Sequence, residues 1–327
     1  MPIVTATRSL LTLPLALYLV ASAAAHAQPY PDRAIRLVVP AGQGGPTDTL
    51  ARLIAERLSA SLRQNVVVEN RGGGGGAIGA RAVAHAEPDG YTFLFGNTGT
   101  LATIPAVSRS AGYDPAKNFA PVAKVMDSYQ VLVVRPDFGV KSVAELIAKA
   151  KANPDKFKYG SAGLGNLTHL SGELFELRAG INLTPVHFKS GAEAITALLD
   201  AQIHLAIDNI TVLHSLIQDG RLRALAVTGA TRRPELPHVP TMLESGVPDY
   251  VVTSFFGVVA PAGTPGAIVE RLNAEINAAL HTPALRETLA KLGAEPSTGP
   301  SQQFAEFIAS ELQKWRDIAT SAGIKVD

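Results

Sequence analysis

The sequence contains no cysteine, which excludes disulfide staples, a thiolate metal site and a lipid anchor on cysteine, so an apolar core has to stabilise the fold alone. It also lacks an excess of either charge. Its 29 basic and 28 acidic side chains give a formal net charge of +1, which argues against a nucleic-acid or anionic-membrane partner. The eight histidines fall at no HxxxH or HxH spacing, so no metal and no cofactor is expected. There is no repeat of fixed period and no disordered tract longer than a loop. What is there is 327 residues, 46% of them hydrophobic, enough for about two globular domains.

The first 27 residues stand apart. Arg8 is their only charge, Leu10 to Ala25 is almost wholly apolar, and Ala25-His26-Ala27 is a small-x-small cleavage site. This is the pattern of a secretory signal peptide, with cleavage expected after Ala27 and a periplasmic destination. A membrane anchor is the alternative, but Pro14 interrupts a run shorter than the roughly 20 residues a span requires. Loss of Arg8 leaves the mature chain formally neutral.

Beyond the leader, apolar β-type runs alternate with helical periodicity, which predicts an α/β fold built on parallel sheet. The expected strands are Ile35 to Val39, Val66 to Glu69, Tyr91 to Phe95, Gln130 to Val134, Val186 to Phe188, His204 to Ile207 and Leu222 to Thr228. Helices are expected over Thr49 to Leu62, Ala77 to Ala86, Ser142 to Ala152, Ala192 to Leu199 and Thr211 to Gln218. Val251 to Ala260 returns as an extended segment, after which the chain is helical. Thr264-Pro265 reads as a cap and first-turn proline, and Ser301 as the cap of a longer helix. Two extended crossings, near Tyr129 and Val252, bracket the second α/β unit. They predict two lobes with a cleft between them: residues 28–127 plus 254–327 in one and 128–253 in the other.

Two glycine-rich turns occupy matching places, each between a strand and a helix. The first carries Ala41, Gly42, Gln43, Gly44, Thr47 and Asp48, the second Ser161, Ala162, Gly163, Asn166, Thr168 and His169. Such turns present unpaired backbone N–H groups at a helix N-terminus, where the dipole favours an anion. A carboxylate can be held by these N–H groups and neighbouring hydroxyls without an arginine. The run Gly72 to Gly76 lacks a following Lys-Ser/Thr, so it reads as a tight strand-to-helix loop and not as a phosphate loop. Asp48, Ser161 and His169 hold the residue types of a hydrolase triad. No G-x-S-x-G elbow accompanies them, which leaves a hydrolase or lyase on this scaffold as the alternative to binding.

The motifs resemble the periplasmic solute-binding proteins of tripartite tricarboxylate transport, the TctC or Bug family. The matching pieces include Gly44-Gly45-Pro46-Thr47-Asp48, Val66-Val67-Val68-Glu69-Asn70-Arg71, Pro88-Asp89-Gly90-Tyr91, Tyr159-Gly160-Ser161-Ala162-Gly163, Leu236-Pro237-His238-Val239-Pro240-Thr241 and Ala260-Pro261-Ala262-Gly263-Thr264-Pro265, in family order across nearly the whole mature chain. The resemblance implies a two-lobed type II periplasmic binding protein, a sheet flanked by helices in each lobe. It would be a non-enzymatic monomer that grips a small organic carboxylate with the two loops and hands it to a membrane permease or a sensor. It also implies that Gly96 to Thr100, Thr98 among them, and Asp208 face the cleft. Departures from the family pattern fall at Ala41, Gly72, Asn166, Ile207 and Phe255; at Ala41, Ile207 and Phe255 changed side-chain size is expected to alter cleft volume.

Overall fold

The computed structural model describes residues 1–3, 30–322 and 324; the leader, apart from its first three residues, lies outside the described residues. The strands are β1 (Ile35–Val39), β2 (Val66–Asn70), β3 (Thr92–Asn97), β4 (Phe119–Val134), β5 (Lys158–Ser161), β6 (Thr184–His187), β7 (Leu205–Asn209), β8 (Arg223–Val227), β9 (Thr253–Pro261) and β10 (Glu295–Pro296). The main helices are α1 (Pro46–Leu62), α2 (Ala77–Ala84), α3 (Val143–Lys151), α4 (Leu167–Ala179), α5 (Gly191–Leu199), α6 (Ile210–Gln218), α7 (Gly266–Leu280), α8 (Pro283–Lys291) and α9 (Ser301–Ala322). A π turn, Gly99–Thr103, and short helical turns occupy the stretch between β3 and β4.

The strands run in the order β2-β1-β3-β9-β4-β7-β5-β6, and β8 and β10 also pair with β4. Pairing is parallel within β2-β1-β3 and within β7-β5-β6, as the alternation of strands and helices requires. The two halves are joined differently. β4 is a single 16-residue strand whose first part, Phe119 to Tyr129, runs antiparallel to β9 and whose last part, Gln130 to Val134, runs antiparallel to β7 and β8. It therefore passes through both lobes. Only its final five residues carry the β-branched signature read from the sequence. Before them, irregularities in register at Pro121/Ala123 and Lys124/Met126 break the apolar alternation that would have marked a strand.

The core follows the pleat. Ile35, Leu37 and Val39 of β1 pack into one cluster with Leu50, Ile54, Phe93, Phe95 and Ile276, while Val38 points the other way into a cluster with Leu94, Phe255, Phe304 and Trp315, the two faces of a strand buried on both sides. That second cluster continues through Leu132, Tyr159, Phe175 and Tyr250, so the lobes share packed apolar contact.

Several helix starts differ from expectation by a residue or two. α7 is capped at Pro265, while the Thr264 hydroxyl donates to the Pro261 carbonyl at 2.8 Å. Ser301 is the first residue inside α9. Ser142 caps α3 as expected, its hydroxyl accepting from the Glu145 N–H at 3.2 Å.

Candidate functional site

The loops that leave the C-terminal ends of β1, β3, β5, β6 and β7 converge, as they do in open α/β sheets generally. They enclose a space of about 570 Å³, including solvent at its mouth. Residues at the starts of α1, α4, α5 and α6 line it, which brings the positive ends of four helix dipoles to one space, although the caps Asn166, Ser190 and Asn209 each take one first-turn N–H. Among the described residues no arginine lines it.

Of the residues singled out from the sequence, Ala41, Thr47, Thr98, Ala162, Asn166, Thr168 and Asp208 line this cavity. The Asn97 amide donates to Thr47 Oγ1 at 2.9 Å and fixes that hydroxyl. Thr98 Oγ1 accepts from the Phe255 N–H at 2.8 Å, tying the β3 loop to β9. Thr168 Oγ1 accepts from the Ala162 N–H at 2.8 Å, and the Thr168 N–H donates to Asn166 Oδ1 at 3.2 Å, so the second glycine loop is folded back on the first turn of α4.

The other candidates stand behind the lining or outside it. Asp48 is the brace of the first loop: its carboxylate accepts from the Gly44 N–H at 3.0 Å, Asn70 Nδ2 at 2.9 Å and Arg52 Nη2 at 2.9 Å. Burial pushes its carboxyl up, but the hydrogen bonds from Arg52, Gly44 and Asn70 outweigh burial and hold it below the usual carboxylate range. Gly42 and Gln43 border a separate outer groove with Phe188 and Glu193. Gly163 (φ +120°) presses on Gly75: a Cβ there would lie 2.7 Å from Gly75 Cα. Ser161 is fully buried and its hydroxyl is 2.7 Å from His187 Nδ1. His169 accepts at Nδ1 from the Gly165 N–H at 3.1 Å and places Nε2 3.4 Å from Glu173.

These pairings separate the three residues of the hydrolase alternative. Ser161 bonds His187 and not His169, and Asp48 is committed to Arg52 and Asn70. They form no triad. Among the described residues no group of three or more His, Cys, Asp or Glu is placed to hold a metal ion.

The effect on cleft volume expected at Ile207 and Phe255 is not found. Both belong to the apolar core, with Phe255 set edge-on against Phe304 and Phe307. The strand period of two explains it: their neighbours Asp208, Ser254 and Phe256 face the cavity instead. Of the five departures, Ala41 and Asn166 line the space.

The lining also includes Gly75, from the run read as a purely structural loop, and residues not singled out as site candidates from the sequence: Gln130, Lys189, Ser190, Gly191 and Asn209. Ser190 caps α5, its Oγ accepting from the Glu193 N–H at 3.2 Å, and Glu193 Oε2 reaches back past the cap to accept from the Lys189 N–H at 3.1 Å, a variant of the capping box. The S-x-x-E spacing after a parallel strand is the one sequence signal that could have pointed to this third loop.

This is the two-lobed α/β fold of periplasmic binding proteins, with the site between the lobes. Residues 50–324 match the family described as "Tripartite tricarboxylate transporter family receptor" (TctC), and the chain belongs to that family of periplasmic solute-binding proteins. Protein BugT of Bordetella pertussis is 38% identical over 306 residues, 93% of this chain and 94% of that one. Among solved structures, R. palustris Rpa4515 with adipate is 42% identical with a TM-score of 0.88, over 90% of this chain and 99% of that one. MatC (Rpa3494) from Rhodopseudomonas palustris with bound malate is 33% identical with a TM-score of 0.86, over 88% of this chain and 99% of that one.

Proposed function

We propose that this protein captures a small organic acid in the cavity between its lobes and delivers it to the membrane subunits of a tripartite tricarboxylate transporter. The observation that carries this is the convergence of four helix N-termini on a cavity whose rim holds Lys189 and whose walls, apart from the single carboxyl of Asp208, are hydroxyl, amide and apolar groups. Such a surface favours one carboxylate and offers no reactive nucleophile to it. That two similar proteins were solved with adipate and with malate supports the class of ligand. Ala41, Thr47, Thr98, Ala162, Asn166, Thr168 and Asp208 form the contact surface in this reading. Gly42, Gln43, Gly44, Asp48, Ser161, Gly163 and His169 shape the loops that present it.

The same proposal takes the mature protein to begin at Gln28, to act as a monomer, and to hinge between residues 28–127 plus 254–327 and residues 128–253. Delivery to a sensor ectodomain in place of a permease would use the same closed form. Titration calorimetry on protein stripped of ligand by unfolding and refolding tests the binding step. Heat that saturates at one acid per chain, with affinity near micromolar or about −8 kcal/mol, is the expected result. The absence of binding across a panel of mono-, di- and hydroxy-acids, or conversion of the acid on incubation, would contradict it.

A further inference from the structure

Among the described residues only two that line the cavity carry charge: Lys189, exposed at the rim, and Asp208, which is 3% exposed. The lining residues contributed by β4, β9 and the loops after β1, β3 and β5 do not titrate. Asp208 Oδ1 accepts from the Asn209 N–H at 2.7 Å, and no cation among the described residues pairs with the carboxyl. Its position depends on Gly191 opposite, where a Cβ would come within 2.6 Å of Asp208 Oδ2. A buried carboxyl without a counter-charge calls for a donor. Burial accordingly pushes it up to about 6.

The next residue presents the complementary deficit. Asn209 Oδ1 accepts from the Thr211 N–H at 3.0 Å, capping α6, and from Ser128 Oγ at 3.1 Å. These two donors fix which way round the amide lies. Its Nδ2 is then a buried donor without a partner, a state that natural structures keep for a reason. Gln130 beside it is already engaged by the Ser171 hydroxyl.

We infer, on the reading that the site holds an organic acid, that Asp208 and Asn209 read the end of the ligand remote from the glycine loops and select an O–H group there over an ammonium. An O–H donates its proton to Asp208 while its oxygen accepts from Asn209 Nδ2. An ammonium answers Asp208 but sets its own protons against the Asn209 donor. A bare carboxylate answers Asn209 and is repelled by Asp208, so a second carboxyl enters with a proton held between the two acids. Selection thus works through the unanswered group as much as the answered one.

The test is calorimetry on ligand-stripped protein near neutral pH, in two buffers of different ionisation enthalpy. The ligands are γ-hydroxybutyrate, succinate, γ-aminobutyrate and butyrate, with the same end groups on five- and six-carbon chains. The hydroxy acid and the diacid are expected to bind at least about tenfold tighter than the amino acid of the same length. The diacid should take up close to one proton per chain and the hydroxy acid none. Asp208→Asn, which retains an acceptor for the Asn209 N–H, should abolish both the preference and the proton uptake. Asn209→Ser, which retains a cap for α6, should weaken the hydroxy acid and the diacid but not the amino acid, and it provides a second reading should Asp208→Asn fold poorly. An amino acid as the tightest ligand, or a rank order unchanged in folded variants, overturns the inference while leaving acid binding intact. Failure of every acid to bind overturns both.

Discussion

Asn166 Nδ2 donates to the backbone carbonyl of Gly75 at 2.9 Å, a direct bond from the loop before α4 to the glycine run before α2. The same side chain caps α4 through Oδ1 and lines the cavity. A second bond, Thr103 Oγ1 to the Gly165 carbonyl at 2.9 Å, lies alongside. The lobes are therefore clasped through protein groups around the cavity, and closure is something the chain itself supports.

Asn166→Asp separates the two roles. The carboxylate retains the cap but loses the donor to Gly75 and faces its carbonyl. Calorimetry and thermal melts should show affinity down by about tenfold at a nearly unchanged melting temperature. Asn166→Ala should in addition lose roughly 1 kcal/mol of stability with the cap.

Gly163→Val should hold the lobes apart. Valine is strained at φ +120°, and its Cβ would collide with Gly75 Cα. Ligand-induced shrinkage in small-angle scattering should be lost although the protein remains folded by circular dichroism; normal shrinkage would show that the Gly163–Gly75 contact is not required for closure.

Asp208 makes stability depend on pH in a direction opposite to most carboxylates. Its pKa rises from 3.8 to about 6 on folding, so between these values the folded chain holds a proton that the unfolded chain has released. Stability from this group is complete below about pH 4, falls as pH rises through 6, and stays lower above it. Asp208→Asn should therefore gain on the parent between pH 4 and pH 7, by on the order of 3 kcal/mol at most. Urea melts at the two pH values check this. A constant difference would mean that the Asp208 carboxyl is not desolvated.

Trp315, 1% exposed, anchors α9 against the core shared by the lobes, and α9 packs on the π turn that follows Asn97 and Thr98. Trp315→Ala should cost about 3–5 kcal/mol in chemical denaturation.

Much of this was legible in the sequence because the signals are local. Strands β1 and β2, helices α1, α3 and α5, and the two glycine loops follow from periodicity, proline placement and caps. Asp48 with Arg52 was also readable, as an i, i+4 ion pair. What could not be read depends on partners far along the chain. The glycines at 73–76 all have positive φ, yet their use at the lobe interface is defined by Gly163 and Asn166, about ninety residues away. β4 is hidden by its register irregularities. Whether Ile207 or Asp208, Phe255 or Phe256, faces the ligand turns on strand phase, and a one-residue difference in phase exchanges the faces.

One acid per chain closes the two lobes around itself in the function proposed above. Small-angle scattering of ligand-stripped protein, titrated with an acid shown by calorimetry to bind, tests it most directly. The radius of gyration should fall and reach its limit at one equivalent per chain. An unchanged radius at saturation, or a change that continues to a second equivalent, would contradict it.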